Sequence, residues 1–592
     1  MHETTMLRRV LIRCDGGSLP EIGTGHVRRS LALARQLTEQ GSTEIVFLMR
    51  DFPGSRDMVT TSEYQVDFFP IDGNEGETIL DAVSKYDSDI VLFDNLDNDP
   101  VVLKKLGDRG IVIITMDDVG EASVVADIAI NSIRQTGVGI YDGFDYLYYP
   151  DCETKIDKLA NNGFTLFISF GGYDHAGLFR RVVELITGIE NVDSINIVCG
   201  GFEEDVESIL NQSSMKGGIT VHKETEAFSD LLAKSDLALV GGGLSMFHAV
   251  AKGIPSVVIA QYDHQVKNAE IMEKHGCVRN MGHISNLDID KVRAEMQRLI
   301  NSPSERKKME EIGRDLISGV GNRDVPKIAG VINQLSWDSE FFGKNIAYLH
   351  PKRLTQNILG MAFRKCKEAE IECLYYLCDC HHSRSVKLAE EHGFHFVDIR
   401  LSYEIPVSST SLERMIGGVD ENPELELRRA EPSDKNALSK IAEESYIYSR
   451  YWFDSNFSVE DCRRFYVDWI NKSITGRFDD QVTVASSTDG VVGFISCKRI
   501  TANVGRIGLI GVREDMCDRG FGKYLIREAI RWALEKDLRS LKVVTQGRNI
   551  PAQRLYQRSG FTSTNTELWY HKWFDKPIER KRGSTYTRGS AP

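Results

Sequence analysis

No stretch of this 592-residue sequence approaches the ~18 consecutive apolar residues that a membrane-crossing helix requires. The start, MHETTMLRRVLIRCD, runs into a strand-like VLI with neither an apolar segment nor a small-residue cleavage site, so a cytoplasmic location is expected. Positive charge is in deficit, with 72 Lys and Arg against 86 Asp and Glu, a net charge of −14. General nucleic-acid and membrane-surface roles are thereby disfavoured. The 11 cysteines are odd in number and scattered singly, which suits reduced core thiols better than a disulfide framework. Proline is scarce at 15 residues, and the apolar fraction of 41% is that of a folding chain. At roughly 150 residues per domain the length implies about four compact units.

From residue 9 to about 335, short β-branched runs alternate with helical stretches: VLIRCD, EIVFLMR, DIVLFD, IVIITMDD, then TLFISFGG, INIVCGG, LALVGGG and SVVIA. This alternation predicts an α/β fold with parallel sheets and crossover helices. A polar stretch at 148–162 divides it into two Rossmann-like halves, 1–155 and 156–334, with ligands expected beyond the carboxyl ends of the strands. Residues 336–575 carry two copies of a weaker pattern that ends in a helix, a Gly-Phe and a strand: SRSVKLAEEHGFHFVDIRLSYE and IPAQRLYQRSGFTSTNTELWYHKW. Only the second copy follows a glycine-rich loop, GVREDMCDRGFGKYL. Residues 335–410 therefore read as a degenerate repeat, 411–575 as its active partner and 576–592 as a disordered tail.

Two loop systems carry the chemistry of the first part. In IRCDGGSLPEIGTGHVRRSLALARQL a strand ends at Asp15 and a helix opens at Gly25, with Val27, Leu31 and Ala34 as its expected apolar face and Gly41 as its stop. His26 falls in the first turn, where the helix dipole favours a neutral imidazole able to act as a base; Gly23, Gly25, Asp15 and Arg29 surround it in sequence. The second system pairs Gly171 and Gly172 of ISFGGYD with Gly241, Gly242, Gly243 and Ser245 of LVGGGLSMFHAV, and with the polar run Asp263, His264, Gln265 and Asn268. Glycines allow close backbone approach to a diphosphate, and a following helix start offers it amides.

These blocks, G-x-G-H-x-x-R, F-G-G-x-D and G-G-G-x-S…G-I-P, resemble the UDP-2,4-diacetamido-2,4,6-trideoxy-β-L-altropyranose hydrolases of pseudaminic acid biosynthesis over about residues 8–335. The resemblance implies the GT-B fold, His26 as the base that activates water, and expulsion of UDP by C–O cleavage at the anomeric carbon. It also implies a ribose-holding Glu at the position occupied here by His248, and an E-N-Q run that Asp263, His264 and Gln265 replace.

In the last part, a glycine loop at Gly520 and Gly522 opens a helix with Leu525, Ile526, Ala529 and Trp532 on one side, and KVVTQGRN then leads to Asn549 and Tyr556. That order resembles the GNAT acetyltransferases. It implies acetyl-CoA as cosubstrate, held at Val512, Cys517, Arg519, Gly520, Gly522, Lys523 and Asn549, with Tyr556 protonating the departing thiolate. Cys517 stands where Arg or Gln is usual. LSWDSEFFGKNIAYL and ELWYHKW are similar more narrowly to TDP-fucosamine acetyltransferase, over about 335–574. No general base is identifiable in this part.

Two clusters read as structural rather than chemical: Cys378-Asp379-Cys380-His381-His382, which lacks the second ligand pair of a zinc site, and Asp117-Asp118, whose carboxylates are placed to cap the segment after their strand. No metal is expected. The sequence reading is a bifunctional enzyme acting on a UDP-linked amino sugar with acetyl-CoA. A glycosyltransferase using the same cleft, and a non-catalytic binding half serving the acetyltransferase, remain open, as does the oligomeric state.

Overall fold

The computed structural model describes residues 6–18, 22–118, 120–133, 141–148, 163–171, 181, 184–186, 188–199, 218–223, 227–317, 320–410, 425–488, 490–501 and 503–574. Most of the polar stretch 148–162, Gly172 and the tail after residue 574 lie outside them. No helix among the described residues is long and apolar enough to cross a membrane.

The fold is α/β. Strands β1 (Arg8–Cys14), β2 (Thr43–Arg50), β3 (Gln65–Phe69), β4 (Ile90–Asp94), β5 (Val112–Met116), β6 (Ile128–Asn131) and β7 (Tyr141–Asp142) form a parallel sheet in the order 3-2-1-4-5-6-7. A second parallel sheet contains β8 (Thr165–Ser169), β9 (Ser194–Cys199), β10 (Gly218–Lys223), β11 (Leu237–Val240), β12 (Ser256–Ala260) and β13 (Val278–His283), in the order 10-9-8-11-12-13. Strands β4, β5, β8, β11 and β12 are buried at every residue, which is why they read as continuous apolar runs. Strand β3 is mostly half-buried and gives no such run.

Helix Gly25–Glu39 follows β1, as its periodicity predicts, but with a rotated face. Val27, Ser30, Leu33, Ala34 and Leu37 are buried together with Arg29, whereas Leu31 is only partly covered. A charged residue on the inner face shifts the apolar stripe, because Arg29 is paired there rather than solvated.

The third sheet has ten strands. β14 (Ile332–Gln334), β15 (Ile346–Leu349), β16 (Cys373–Asp379) and β17 (His395–Pro406) come from the first repeat; β18 (Glu426–Arg429), β19 (Gln481–Ser487), β20 (Gly490–Arg499), β21 (Val504–Val512), β22 (Ser540–Gln546) and β23 (Thr562–Trp573) come from the second. Their order is 14-15-16-23-17-22-21-20-19-18, so the repeats exchange their last strands. β23 pairs with β16 of the first repeat, and β17 pairs with β22 of the second. Parallel pairing of β21 with β22 ends after three residue pairs, Val504↔Ser540 to Arg506↔Lys542, and the two strands part beyond that point.

One apolar cluster joins the first sheet to the first repeat, running from Val10, Ile90 and Ile114 through Ile358, Leu359 and Ala362 to Tyr376 and Tyr570. Polar groups pin this junction. Thr355 caps helix Gln356–Glu368 by accepting from the Ile358 amide at 3.2 Å, and its hydroxyl donates to Asp127 at the foot of β6. Arg8 donates to the carbonyl oxygens of Gly330 and Ile332 at 3.0 and 3.3 Å. Lys365 Nζ lies 2.9 Å from Asp89, with side-chain exposures of 2% and 7%.

Removing Lys365 leaves the buried Asp89 carboxylate with the half-exposed Arg364, at 3.3 Å, as its one cation among the described residues. Lys365→Met is expected to lower stability by about 3 kcal/mol, read as a fall in the denaturant midpoint with an unchanged slope; a shift within error would show that the pair contributes nothing to the junction.

Candidate active sites

Three parallel strands deliver carboxylates to the same sheet end. β1 is followed by Asp15, β4 ends in Asp94 and β5 is followed by Asp117. The expected partnership of Asp15 with His26 is not what the structure places there. Asp15 accepts both terminal nitrogens of Arg13 at 2.7 Å and the Arg50 amide at 2.9 Å, and Arg13 and Arg50 also bind Glu75. Asp15 thus anchors the loop after β1 and makes no hydrogen bond to His26.

The carboxylate that holds His26 is Asp94. Its Oδ1 lies 2.8 Å from His26 Nδ1, while Oδ2 accepts from Arg29 Nε at 3.1 Å and Ser30 Oγ at 2.9 Å. Arg29 also donates through Nη2 to Asp94 and through Nη1 to Asp117, whose other oxygen accepts the Ser132 amide and hydroxyl at 2.7 Å each. Burial alone would push the Asp94 carboxyl up, but the Arg29 guanidinium and the His26 ring outweigh it and hold the group well below the usual carboxylate range. An ionised Asp94 fixes the Nδ1–H tautomer of His26 and leaves Nε2 as the lone-pair nitrogen. Asp117 sits at φ +53°, a left-handed backbone for a non-glycine residue, and the clamp on its side chain offsets that cost. Asp94 carries no motif of its own; its signal in the sequence is only that DIVLFD and IVIITMD, like VLIRCD, end in Asp.

Two helix starts meet across the cleft. A methyl group on Gly25 would come 3.2 Å from Leu244, so the loop bearing His26 abuts the Gly241–Gly243 loop. The amides of Gly25, His26 and Val27 on one side, and of Gly242, Gly243, Leu244 and Ser245 on the other, donate to no group among the described residues. Gly242 is required by packing: an added Cβ would lie 2.5 Å from the Gln265 carbonyl oxygen. Asn268 donates to the Gly242 carbonyl at 3.3 Å, and Gln265 accepts from the Gln261 amide at 3.0 Å. Gly171, at φ +96°, has open space where a side chain would be.

A small cavity between the halves is lined by Leu96, Asp117, Asp118, Asn131 and Ile133 on one side and His264 and Asn268 on the other. Asp117 and Asp118, read from sequence as caps, therefore face the cleft; burial raises Asp118, which accepts from Asn98 and Gly120. His248 is buried against Phe228 at 5.4 Å, and burial, followed by Lys252, pushes its ring down to about 3. It is a neutral ring in the core of the second half.

In the ten-stranded sheet, β21 leads to a loop in which Gly520 takes φ +87° as N-cap of helix Phe521–Glu535. The amides of Arg519, Gly520, Phe521 and Gly522 donate to no group among the described residues, forming an anion nest, while Lys523 N closes back on Gly520. A Cβ on Gly522 would press Leu555 at 3.0 Å, and Cys517 is exposed beside the loop. Asn549 caps helix Ile550–Arg558 by accepting from the Ala552 amide at 3.2 Å. Tyr556 is buried, 5.9 Å from the rings of Tyr403 and Phe561, and burial, with Tyr403 secondary, raises its phenol well above the ordinary value. The nest abuts helix Ile550–Arg558 through Leu555, and that helix carries Tyr556 and is capped by Asn549. Val512, at the end of β21, pairs with Gly493 of β20, and its carbonyl oxygen accepts from Cys517 Sγ at 3.8 Å.

Residues 444–561 match the acetyltransferase (GNAT) family. The chain is 26% identical over 249 residues to the dTDP-fucosamine acetyltransferase of Escherichia coli, covering 41% of this chain and 97% of that protein. It is also 26% identical over 327 residues to the spore coat polysaccharide biosynthesis protein SpsG of Bacillus subtilis, covering 52% of this chain and 94% of that protein. It spans 56% of an uncharacterized Methanocaldococcus jannaschii protein, at 26% identity over 43% of this chain. The crystal structure of Acinetobacter baumannii MurG aligns with 54% of this chain and 99% of its own, at 15% identity and a TM-score of 0.44.

Asp94 contributes stability above the unfolded carboxylate value of about 4, because its folded value is depressed; that contribution is lost as pH falls toward and through the folded value. Asp94→Asn is expected to be less stable than the parent chain at neutral pH and to show a shallower loss of stability on acidification below pH ~4, followed by denaturant midpoints; parallel profiles would contradict this assignment. The two parallel sheets thus meet at a cleft with a His–Asp pair and amide-bearing helix starts, and they are fused to a GNAT acetyltransferase domain.

Proposed function

We propose that the chain is a bifunctional nucleotide-sugar enzyme of nonulosonic (pseudaminic) acid synthesis. In this reading it N-acetylates the 4-amino group of a UDP-linked 4-amino-4,6-dideoxy sugar, then hydrolyses the UDP-diacetamido-trideoxy-altropyranose product. The observation that carries the hydrolytic half is the His26–Asp94 pair set between two helix starts with free amides. SpsG, named for polysaccharide biosynthesis, and the E. coli enzyme, named for acetylating a dTDP-sugar, support the substrate class.

His26 Nε2 takes a proton from water as the water oxygen bonds to the anomeric carbon. The bond from that carbon to the diphosphate oxygen breaks, and the electron pair leaves with UDP. Amides at Gly242–Ser245 face the charge that develops on the diphosphate. Asp94 holds the ring and stabilises the imidazolium formed. Arg29 keeps Asp94 ionised and, through Asp117, fixes the sheet end against which the sugar would lie.

Acetyl-CoA supplies the acyl group in the other site. The nest at Arg519–Gly522 fits its pyrophosphate, Asn549 lies beside the opening for its amide arm, and Cys517 contributes little because backbone amides make the contact. The sugar amine nitrogen bonds to the acetyl carbon, the carbon–sulfur bond breaks, Tyr556, protonated because it is buried, delivers a proton to the thiolate, and the proton lost by the nitrogen returns through water to the tyrosinate.

A proton NMR time course of UDP-4-amino-4,6-dideoxy-β-L-AltNAc with and without acetyl-CoA tests both halves. Acetylation followed by free UDP is expected. His26→Ala should slow UDP release by roughly 10²- to 10⁴-fold while acetylation continues, and Tyr556→Phe should slow acetylation by roughly 10²-fold while preacetylated substrate is still hydrolysed. Acetylation with intact UDP-sugar in the parent chain would refute the hydrolase, and UDP release that depends on an added sugar acceptor would establish a glycosyltransferase instead.

A further inference from the structure

The tandem domain touches both parallel halves at the strand ends that face away from the cleft. In a parallel sheet all strand starts share one edge, and ligands bind beyond the other. On the first sheet that starting edge is held by residues 330–365. Arg8, which opens β1, donates to the Gly330 and Ile332 carbonyls. Asp89, just before β4, pairs with Lys365 and Arg364, and Asp127, just before β6, accepts from Thr355 and Asn357. The Lys352 amide donates to the hydroxyl of Tyr141, the first residue of β7, at 2.9 Å.

The second half is held in the same manner. Asn503 Nδ2 donates to the Arg314 carbonyl, and Arg539 donates to the Glu311 carbonyl at 3.2 Å. Both acceptors lie in helix Pro303–Leu316, where an added Cβ on Gly313 would come 2.8 Å from the Val250 carbonyl oxygen. Val250 is at the end of helix Leu244–Ala251 remote from the Gly241–Gly243 loop. The apolar clusters of the second half include no described residue beyond Ile317, so no apolar packing draws the acetyltransferase domain along its side toward the cleft.

Each centre lies at the far end of a stiff element whose near end makes a contact. Helix Gly25–Glu39 carries His26 in its first turn, while Leu37 in its last turn accepts from Arg8 at 3.4 Å, which sets His26 about 17 Å from that contact. Strand β21 begins beside Asn503 and ends before the glycine loop, a run of about 27 Å. The docking faces therefore lie between the two centres. A UDP-linked sugar held at one centre cannot span that interval and must let go before it reaches the other. Turnover at about 1–10³ s⁻¹ is slow beside diffusion over a few nanometres, so a molecule that lets go mixes with the solution before the cleft takes it up.

We infer that the acetylated sugar nucleotide is released into bulk solvent before it is hydrolysed, so that the two centres act as independent enzymes on one scaffold. The cleft therefore also hydrolyses acetylated sugar nucleotide supplied from outside the chain, by any acetyl transfer to the same amine. Release of a shared intermediate presupposes the pair of reactions proposed above.

Isotope dilution in the parent chain tests it. UDP-4-amino-4,6-dideoxy-β-L-AltNAc and acetyl-CoA labelled with ¹³C in the acetyl group are mixed with the enzyme and an excess of unlabelled, preacetylated UDP-sugar, and NMR follows the label in the pool and in the free diacetamido sugar. Release predicts that newly formed free sugar carries the same label fraction as the pool throughout. Direct passage predicts free sugar labelled ahead of the pool, and that result overturns the inference. In a second arm, His26→Ala and Tyr556→Phe chains are mixed, each at the parent's concentration. The mixture should release UDP with the parent's lag and at its steady rate; a lag longer than the parent's overturns release. Assays of the parent on each substrate alone keep the two readings apart. Failure to acetylate the amine, or to hydrolyse preacetylated UDP-sugar, refutes the proposed function and removes the intermediate with it, whereas both reactions with label ahead of the pool refute release alone.

Discussion

The N-terminal cleft depends on one buried guanidinium. Arg29 bridges Asp94 and Asp117, and without it two carboxylates from neighbouring strands would face each other in a dry sheet end. Burial would lower the pKa of an isolated Arg29, but its two acids outweigh that and raise it. Buried ion pairs contribute little net stability, and their use lies in fixing geometry. Here the geometry is the His26 ring: Asp94 is oriented from one side by Arg29 and Ser30, so its remaining lone pair has a single direction in which to accept Nδ1–H. Parallel pairing of β1 with β4 and of β4 with β5 sets the spacing of the three strand ends.

The chemistry of the two ends is joined by packing rather than by a linker. Helix Gln356–Glu368 buries Ile358, Leu359 and Ala362 in a cluster shared by the first sheet and the first repeat, so the repeat belongs to the core of both units. Exchange of β17 and β23 carries the continuity on into the acetyltransferase domain. Arg539 pairs with Asp315 at 2.6 Å and ties the start of β22 to helix Pro303–Leu316. The first repeat, which has no glycine loop, completes the ten-stranded sheet and covers the core of the first parallel sheet.

Much of the fold was legible because fully buried parallel strands leave an unmistakable apolar run, and β4, β5, β8, β11 and β12 all do. Half-buried β3 and the short β7 leave none, since their partners rather than their composition make them strands. The placement of His26, Gly520 and Asn549 at helix starts that follow strands could be read from local spacing, because a loop between a strand and a helix start is a short-range feature. Asp94 could not, as it lies 68 positions from His26 and meets it only through sheet order. Asp15 drew attention by proximity in sequence, and Arg13 and Arg50 claim it because their side chains share its face of the sheet. The resemblance implies a ribose-holding residue at the position of His248, but that side of helix Leu244–Ala251 turns into the core.

By itself, then, the sequence determined the α/β class, the two glycine-bearing helix starts of the cleft and the loop–Asn–Tyr order of the acetyltransferase domain, because each follows from residues within one turn or one strand of each other. Only the tertiary structure decided which carboxylate holds His26, which charges are spent on one another, and that Arg450 lies over rings from both repeats. Those outcomes depend on strand order and strand exchange, which bring together residues tens to hundreds of positions apart, and on burial, which determines whether a charge must find a partner or can be left to water.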